Sequence, residues 1–182
     1  MKDLSLHILD LVENAIAAKA QKIEISIQEE TQEDRLLIEI KDDGTGMDQA
    51  VTQRATDPFF TTRSSRSVGL GLSLMAQAAQ EAGGKLRIES ELEKGTKVVA
   101  TFQYHHIDRK PLGDMTETMT TLLLGNPELQ ISYVHQRDGK SYVLNSQMLK
   151  EQFKNQPLTH PEVIQWLRRH LREGLFQIGV QG

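Results

Sequence analysis

A short stretch near the start of the chain carries three polar side chains at helical spacing. His7, Asp10 and Asn14 are separated by steps of three and four residues, which place them on one face of a helix whose apolar residues repeat at the same period. An Asn amide oxygen can coordinate Mg²⁺, and an acid one turn earlier can orient or deprotonate a water molecule. Glu13 lies about 100° away around the helix, so Asp10 is the better candidate for a base. A solvated face of an ordinary amphipathic helix is the alternative interpretation.

The second group is an acid-glycine turn that follows an apolar strand at residues 36–40. Asp42, Gly44 and Gly46 occupy alternate positions in it. Glycine allows a sharp turn and leaves no side chain between the backbone and a flat ligand, and a carboxylate at the end of a strand can accept from the exocyclic amine of adenine. A plain surface turn has the same composition, so this pattern indicates a purine pocket only together with its neighbours.

A third group lies at residues 57–72. Two adjacent aromatic residues, the second of them Phe60, precede a small basic segment that begins at Arg63. This segment has the composition of a flexible lid whose arginines reach phosphate oxygens, although an exposed loop has the same composition. Gly69 and Gly71 then open a predicted helix, and glycines there let the first amide groups and the helix dipole approach an anion. The spacing matches neither a Rossmann fingerprint nor a Walker motif.

The composition of the whole chain restricts the class of protein. Its 182 residues include 38% hydrophobic and 25% charged residues, which is typical of a soluble globular chain. The net charge of −4 gives no overall attraction to nucleic acid or to an anionic membrane. There is no cysteine, and the chain begins with neither a signal peptide nor an apolar run of the ~20 residues needed to span a bilayer. We expect a cytoplasmic protein with no nucleic-acid or membrane partner.

Periodicity predicts the elements that position these groups. Alternating apolar residues predict strands at residues 22–27, 36–40, 85–90 and 97–102, with a polar connection at residues 28–34. Helical spacing predicts helices at residues 4–20, at residues 48–54 and from the two glycines to about residue 82. Beyond residue 105 we predict helices at residues 114–124, 147–154 and 161–171, the last ended by Gly174, and a hairpin that turns at Asp138-Gly139.

In their order and spacing the motifs resemble those of the GHKL ATPases, the family of histidine kinases, DNA gyrase, heat-shock chaperones of the ninety-kilodalton class and mismatch-repair ATPases. Residues 10–15 resemble the N box, residues 42–47 the G1 box, residues 57–62 the F box and residues 69–72 the G2 box. The resemblance implies the Bergerat fold, an α+β two-layer sandwich with a mixed sheet and helices on one face. We expect an ATPase domain at residues 1–105 and a small α+β accessory or docking domain at residues 106–182.

The resemblance also implies a role for each matching residue. Asn14 would hold the Mg²⁺ that bridges the phosphates of ATP, Asp42 would accept from the adenine amine, and Asp10 stands where the family's ATP-hydrolysing branches carry the water-activating base. The residues implied to line the nucleotide are Asn14, Asp42, Gly44, Gly46, Met47, Phe60, Arg63, Gly69, Leu70, Gly71, Leu72 and Thr96.

Within the family, different features indicate different branches. Sensor histidine kinases usually carry Asn where this chain has Asp10, so the acid favours hydrolysis or transfer to Ser or Thr, as in anti-sigma serine kinases. The two adjacent aromatics and residues 83–96 look more like histidine kinases, whereas residues 14–25 are closer to the mismatch-repair layout. Few residues precede the first helix, so we expect no phospho-accepting helical hairpin. Each histidine is expected to have an ordinary surface role, with contact between His7 and the site as the alternative, because His7 shares a helix face with Asp10 and Asn14.

Three functions remain open from the sequence. The first is Mg²⁺-dependent ATP hydrolysis or phosphoryl transfer to a separate protein, by an ATPase or a protein kinase. The second is a nucleotide-gated protein-binding regulator with little or no turnover, and the third is a regulator that has lost ATP binding. We expect residues 106–182 to supply a surface for a protein partner, with a homodimer left open.

Overall fold

The computed structural model describes residues 3–57 and 70–181, and its helices alternate with hairpins along the chain. In chain order the elements are α1 (Leu4–Ala17), β1 (Lys22–Glu30), β2 (Arg35–Asp42), α2 (Gln49–Arg54), α3 (Leu70–Glu81), β3 (Lys85–Glu91), β4 (Gly95–Gln103), α4 (Met115–Gly125), β5 (Gln130–Arg137), β6 (Lys140–Asn145), α5 (Ser146–Gln152) and α6 (Pro161–Gln177).

The six strands form one mixed sheet in the order β3-β4-β2-β1-β5-β6. Neighbouring strands are antiparallel except for β1 and β5, which are parallel. Along β1, β2, β4 and β5 the side chains alternate between a buried face and a partly exposed face. Helices α3, α1, α4 and α6 pack side by side over the buried face. The predicted α+β sandwich, with a mixed sheet and helices on one face, is confirmed.

One hydrophobic core extends beneath the helices from α3 to α6. It includes Met75 of α3, Ile25 of β1, Leu123 of α4 and Leu167 of α6, all of them buried. The expected division between residues 105 and 106 is therefore not a break in the sheet or in the core. It stays a prediction about the extent of the ATPase unit.

Local signals fix several of the element boundaries. The side chain of Asp114 accepts a hydrogen bond from the N–H of Glu117 at 2.9 Å and so caps the start of α4. Asp138 and Gly139 have φ values of 45° and 84°, as the predicted two-residue turn between β5 and β6 requires.

Several predicted boundaries differ from the structure, and α1, for example, ends at Ala17 and not at residue 20. The first strand continues through residues 28–30, because Glu29 points into the covered face instead of into solvent. The last helix continues through Gly174, which lies against the ring of Tyr142. A glycine at that position permits close packing and does not end the helix.

Within residues 3–57 and 70–181, no helix combines the length and the apolar character needed to cross a membrane.

Candidate functional site

The first helix presents Asp10 and Asn14 beside the start of α3. Both side chains are partly buried, whereas Glu13 is exposed. A Cβ placed on Gly71, the second residue of α3, would lie 3.3 Å from Asn14 Nδ2 and 3.3 Å from Asp10 Cβ. These contacts are tight for a Cβ, so a side chain there would require its neighbours to shift by a few tenths of an ångström, and glycine favours the close approach of the two helices. The start of α3, with the positive end of the helix dipole, therefore lies beside the side chains of Asp10 and Asn14, an arrangement suited to a metal-bound phosphate.

Burial makes Asp10 a stronger base than an exposed aspartate. Desolvation raises the pKa of its carboxyl group, and the nearby charge of Glu13 adds to the effect. A raised pKa increases the affinity of the carboxylate for a proton.

His135 is fully buried, so the expectation of a surface role is wrong for it. That expectation is also wrong for His7, which is fully buried. Neither ring nitrogen has a hydrogen-bond partner among the described residues. Burial lowers the pKa of His7 to about 4, and the charge of Lys110 adds to the shift. The ring is therefore neutral at physiological pH and packs as part of the helical layer.

The second part of the site lies at the end of β2. Asp42 Oδ1 accepts from the N–H of Gly44 at 2.8 Å, and Asp42 stands directly opposite Thr96 of β4. Burial raises the pKa of Asp42, against the lowering effect of hydrogen bonds from the backbone of Gly44 and Thr96. A partly buried acceptor next to a hydroxyl is a suitable partner for an exocyclic amine.

The glycine turn is held between α1 and the hairpin of β3 and β4. Thr45 donates its N–H to the carbonyl of Ala18 at 2.9 Å. A Cβ on Gly44 would lie 2.8 Å from that same carbonyl oxygen. Gly46 has φ of 65°, and a Cβ there would lie 2.0 Å from the carbonyl oxygen of Glu91. These two glycines are thus required by close backbone contacts on both sides of the turn.

Ser90 of β3 belongs to the site and was missed from the sequence. Its Oγ accepts from the N–H of Met47 at 2.8 Å and lies 2.8 Å from Oγ1 of Thr96. The signal was present, because a tight hairpin over residues 91–95 pairs Ser90 with Thr96. The pairing of Ser90 with Thr96 follows from the strand register and not from the motif alone.

The structure brings most of the predicted residues into two groups. One contains Asp10, Asn14, Leu70, Gly71 and Leu72, and the other contains Asp42, Gly44, Gly46, Met47 and Thr96. Helix α1 connects them, because Ala18 contacts the glycine turn and lies one helical turn, about 6 Å, beyond Asn14. Phe60, Arg63 and Gly69 lie outside the described residues.

Residues 2–106 match the family described as histidine kinase-, DNA gyrase B- and HSP90-like ATPases. The chain belongs to this ATPase family, as its motifs predicted, and ATP binding is a property of the domain that defines the family.

Individual relatives share this region with the chain. A protein of Shewanella frigidimarina named as a sensor protein is 38% identical over 97 residues, which are 52% of this chain and 15% of that protein. Sporulation kinase E of Bacillus subtilis is 41% identical over 64 residues, which are 35% of this chain and 8% of the kinase. The chain therefore matches only a small part of the length of these relatives.

The fold likeness extends further along the chain. The Aquifex aeolicus MutL ATPase domain complexed with ADP covers 93% of this chain with a TM-score of 0.52, and the match covers 88% of that domain. The two share 18% sequence identity, so the comparison concerns the fold alone.

Proposed function

We propose that this chain binds Mg²⁺-ATP and transfers the γ-phosphoryl group to water or to a separate protein. The observation that carries the proposal is the placement of two chemically different groups on either side of the C-terminal turn of α1. Asp10 and Asn14 meet the start of α3 at one end, and Asp42 and Thr96 lie at the other. A nucleotide likewise has two chemically different ends, an anionic phosphate tail and a base that carries an amine.

The tail of the nucleotide would lie at the start of α3. Its phosphates would accept from amide groups in the first turn of the helix, beside Gly71. Asn14 would contribute one oxygen to Mg²⁺, and the phosphates and waters would complete the coordination. Within residues 3–57 and 70–181 no three His, Asp or Glu side chains cluster as metal ligands, which suits Mg²⁺ because this ion keeps several waters and binds few protein groups.

Two carboxylates of this chain would then have different roles, Asp10 toward the proton of the attacking group and Asp42 toward the adenine base. Asp10, with its raised pKa, would accept the proton of an attacking water or hydroxyl group. Asp42 would accept from the amine of adenine. The metal supplies charge neutralisation at the phosphates, so the transfer depends on positioning more than on covalent chemistry.

The first test is calorimetric titration of ATP with and without Mg²⁺. We expect Asp42→Asn to weaken ATP binding by about tenfold or more, because the loss of a charged hydrogen bond costs ~1.5–3 kcal/mol. We expect Asn14→Ala to abolish the gain in affinity that Mg²⁺ provides. An unaltered chain that binds no ATP contradicts the proposal.

The second test separates turnover from binding. Labelled ATP and Mg²⁺ are incubated with the unaltered chain, with Asp10→Asn and with the control Glu13→Gln, whose exposed carboxylate is the neighbour of the proposed base. We expect Asp10→Asn to lower product formation by about 100-fold or more, because general bases contribute roughly 10²–10⁴-fold. The control should change the rate far less, because it removes only the secondary effect of the Glu13 charge on the pKa of Asp10. ATP binding without any product would instead support the nucleotide-gated regulator.

A further inference from the structure

Ser90 joins three parts of the proposed base pocket. It pairs with Thr96 across β3 and β4, and Thr96 pairs with Asp42 across β4 and β2. The three side chains therefore stand in one row on the helix-covered face of the sheet. Ser90 also holds the glycine turn, through its hydrogen bond from the N–H of Met47 at 2.8 Å.

The hydrogen bonds of Ser90 determine the direction of the Thr96 hydroxyl. A serine hydroxyl has one proton to donate and two lone pairs. The amide of Met47 must donate to Ser90 Oγ, and the carbonyl of Gly95, 3.1 Å away, must accept. The single proton of Ser90 is thereby used. The remaining 2.8 Å contact is then a hydrogen bond donated by Thr96 Oγ1 to Ser90.

Because the Thr96 hydroxyl donates its proton to Ser90, it can only accept a hydrogen bond from a ligand in the pocket. The end of the pocket then presents acceptors alone, the carboxylate of Asp42 and the lone pairs of Thr96. This surface favours a base whose amine donates a hydrogen bond to it over a base whose carbonyl can only accept one. Such a carbonyl would face the partly buried acceptors of Asp42 and Thr96 with no proton between them.

We propose that Ser90 is a positioning residue that orients the Thr96 hydroxyl and so sets the preference of the site for a 6-amino over a 6-oxo purine. This inference rests on the proposed function, because it assumes that a purine nucleotide occupies the site. Ser90 acts through Thr96 and does not itself touch the base.

The test is the ratio of the affinities for ATP and for inosine triphosphate, which carries a 6-oxo group. Both are measured by calorimetry at mildly alkaline pH, where Asp42 is ionised. We expect Ser90→Ala to lower this ratio by about fivefold, the equivalent of one neutral hydrogen bond, because the freed Thr96 proton can donate to the 6-oxo group. Ser90→Thr, which keeps the hydroxyl, should retain the ratio.

Thr101→Ala is the matched control for a purely structural effect. Thr101 Oγ1 accepts from the N–H of Lys85 at 3.2 Å across the same pair of strands, at their other end. We expect Thr101→Ala to lower the melting temperature as Ser90→Ala does and to leave the nucleotide ratio unchanged. A fall of the ratio in both variants would overturn the proposal.

A double-variant comparison tests the route through Thr96. In a Thr96→Val background no hydroxyl remains to be oriented, so adding Ser90→Ala should leave the ratio where Thr96→Val alone puts it. If Ser90→Ala does not fold, Ser90→Cys provides the same test, because a thiol is a weak donor and acceptor. If the unaltered chain binds ATP and the Ser90 variants keep its full preference, the role of Ser90 is wrong while the proposed function stands. If the unaltered chain binds neither nucleotide, both fail.

Discussion

At the scale of single residues, side-chain type and spacing predicted most of the candidate site but not its supports. Asp10, Asn14 and Asp42 could be selected because several short motifs occur in this chain in the order and spacing of the ATPase family. Ser90 could not, because its partners come from two other parts of the chain. The burial of His7 was missed although its neighbours three residues before and four residues after, Leu4 and Leu11, are both core residues. The polar residues on the same helix face favour exposure, and that signal predicts the wrong environment for His7.

Gly46 offers a test of the close contacts around the glycine turn. Alanine there meets both a positive φ of 65° and the carbonyl oxygen of Glu91, 2.0 Å from the added Cβ. Gly139, with φ of 84° and open space around it, is the control for backbone strain alone. We expect Gly139→Ala to lower the free energy of unfolding by about 1–2 kcal/mol, and Gly46→Ala by about 1–3 kcal/mol more. Equal losses in urea titrations of the two variants would show that the turn is not confined as described.

At the scale of elements, periodicity predicted the type of each helix and strand but not all their limits. Alternation along β1 predicts a strand end at Ile27 because the next residues are polar, yet Glu29 occupies a buried position and is paired there. A glycine signal was similarly ambiguous in α6. A glycine such as Gly174 is typical of a helix end, and only the position of Tyr142 explains why the helix continues past it.

Gly174→Ala distinguishes these two roles of glycine. Replacing a glycine inside a helix by alanine normally stabilises the helix by about 1 kcal/mol. Here the added Cβ would lie 2.1 Å from Cε2 of Tyr142, so we expect a loss of about 1–3 kcal/mol in the free energy of unfolding. Gly125→Ala at the end of α4, where no atom lies within 4 Å of the added Cβ, is the control and should show no such loss. Stabilisation by Gly174→Ala in denaturant titrations would refute the close contact.

At the scale of the whole molecule, the parallel pairing of β1 with β5 extends the sheet into the last third of the chain. This pairing joins residues far apart in the sequence, as in the 2.6 Å contact between Glu29 Oε1 and His135 Nε2, 106 positions apart. No local pattern reports such a contact, so the sequence alone does not predict that the last third of the chain shares the sheet. The other ring nitrogen of His135 lies 2.7 Å from the hydroxyl of Tyr133, and all three residues are buried.

The buried Glu29 and its partners make the stability of the fold depend on pH. Burial by itself raises the pKa of Glu29, but the hydrogen bond and charge of His135 outweigh it, with help from the Tyr104 hydroxyl and the charge of Arg137. The net result is a pKa below the ordinary value of 4.5. An acid whose pKa is lower in the folded chain contributes stability above the unfolded value, and this contribution is lost as the pH falls through the folded value.

We therefore expect Glu29→Gln to lower the free energy of unfolding by about 1–3 kcal/mol at neutral pH, because the buried His135 loses its carboxylate partner. The difference between the unaltered chain and Glu29→Gln should shrink as the pH falls below 4.5, since the glutamine cannot be protonated and the unaltered chain loses its contribution there. Glu30→Gln is the control, because Glu30 pairs with Arg35 at 2.6 Å on the partly exposed face and should change stability by less than about 1 kcal/mol. Denaturant titrations of the unaltered chain and of the two variants, at several acidic pH values, measure these differences. A deficit of Glu29→Gln that stays constant with pH would contradict an ionised Glu29 in contact with His135.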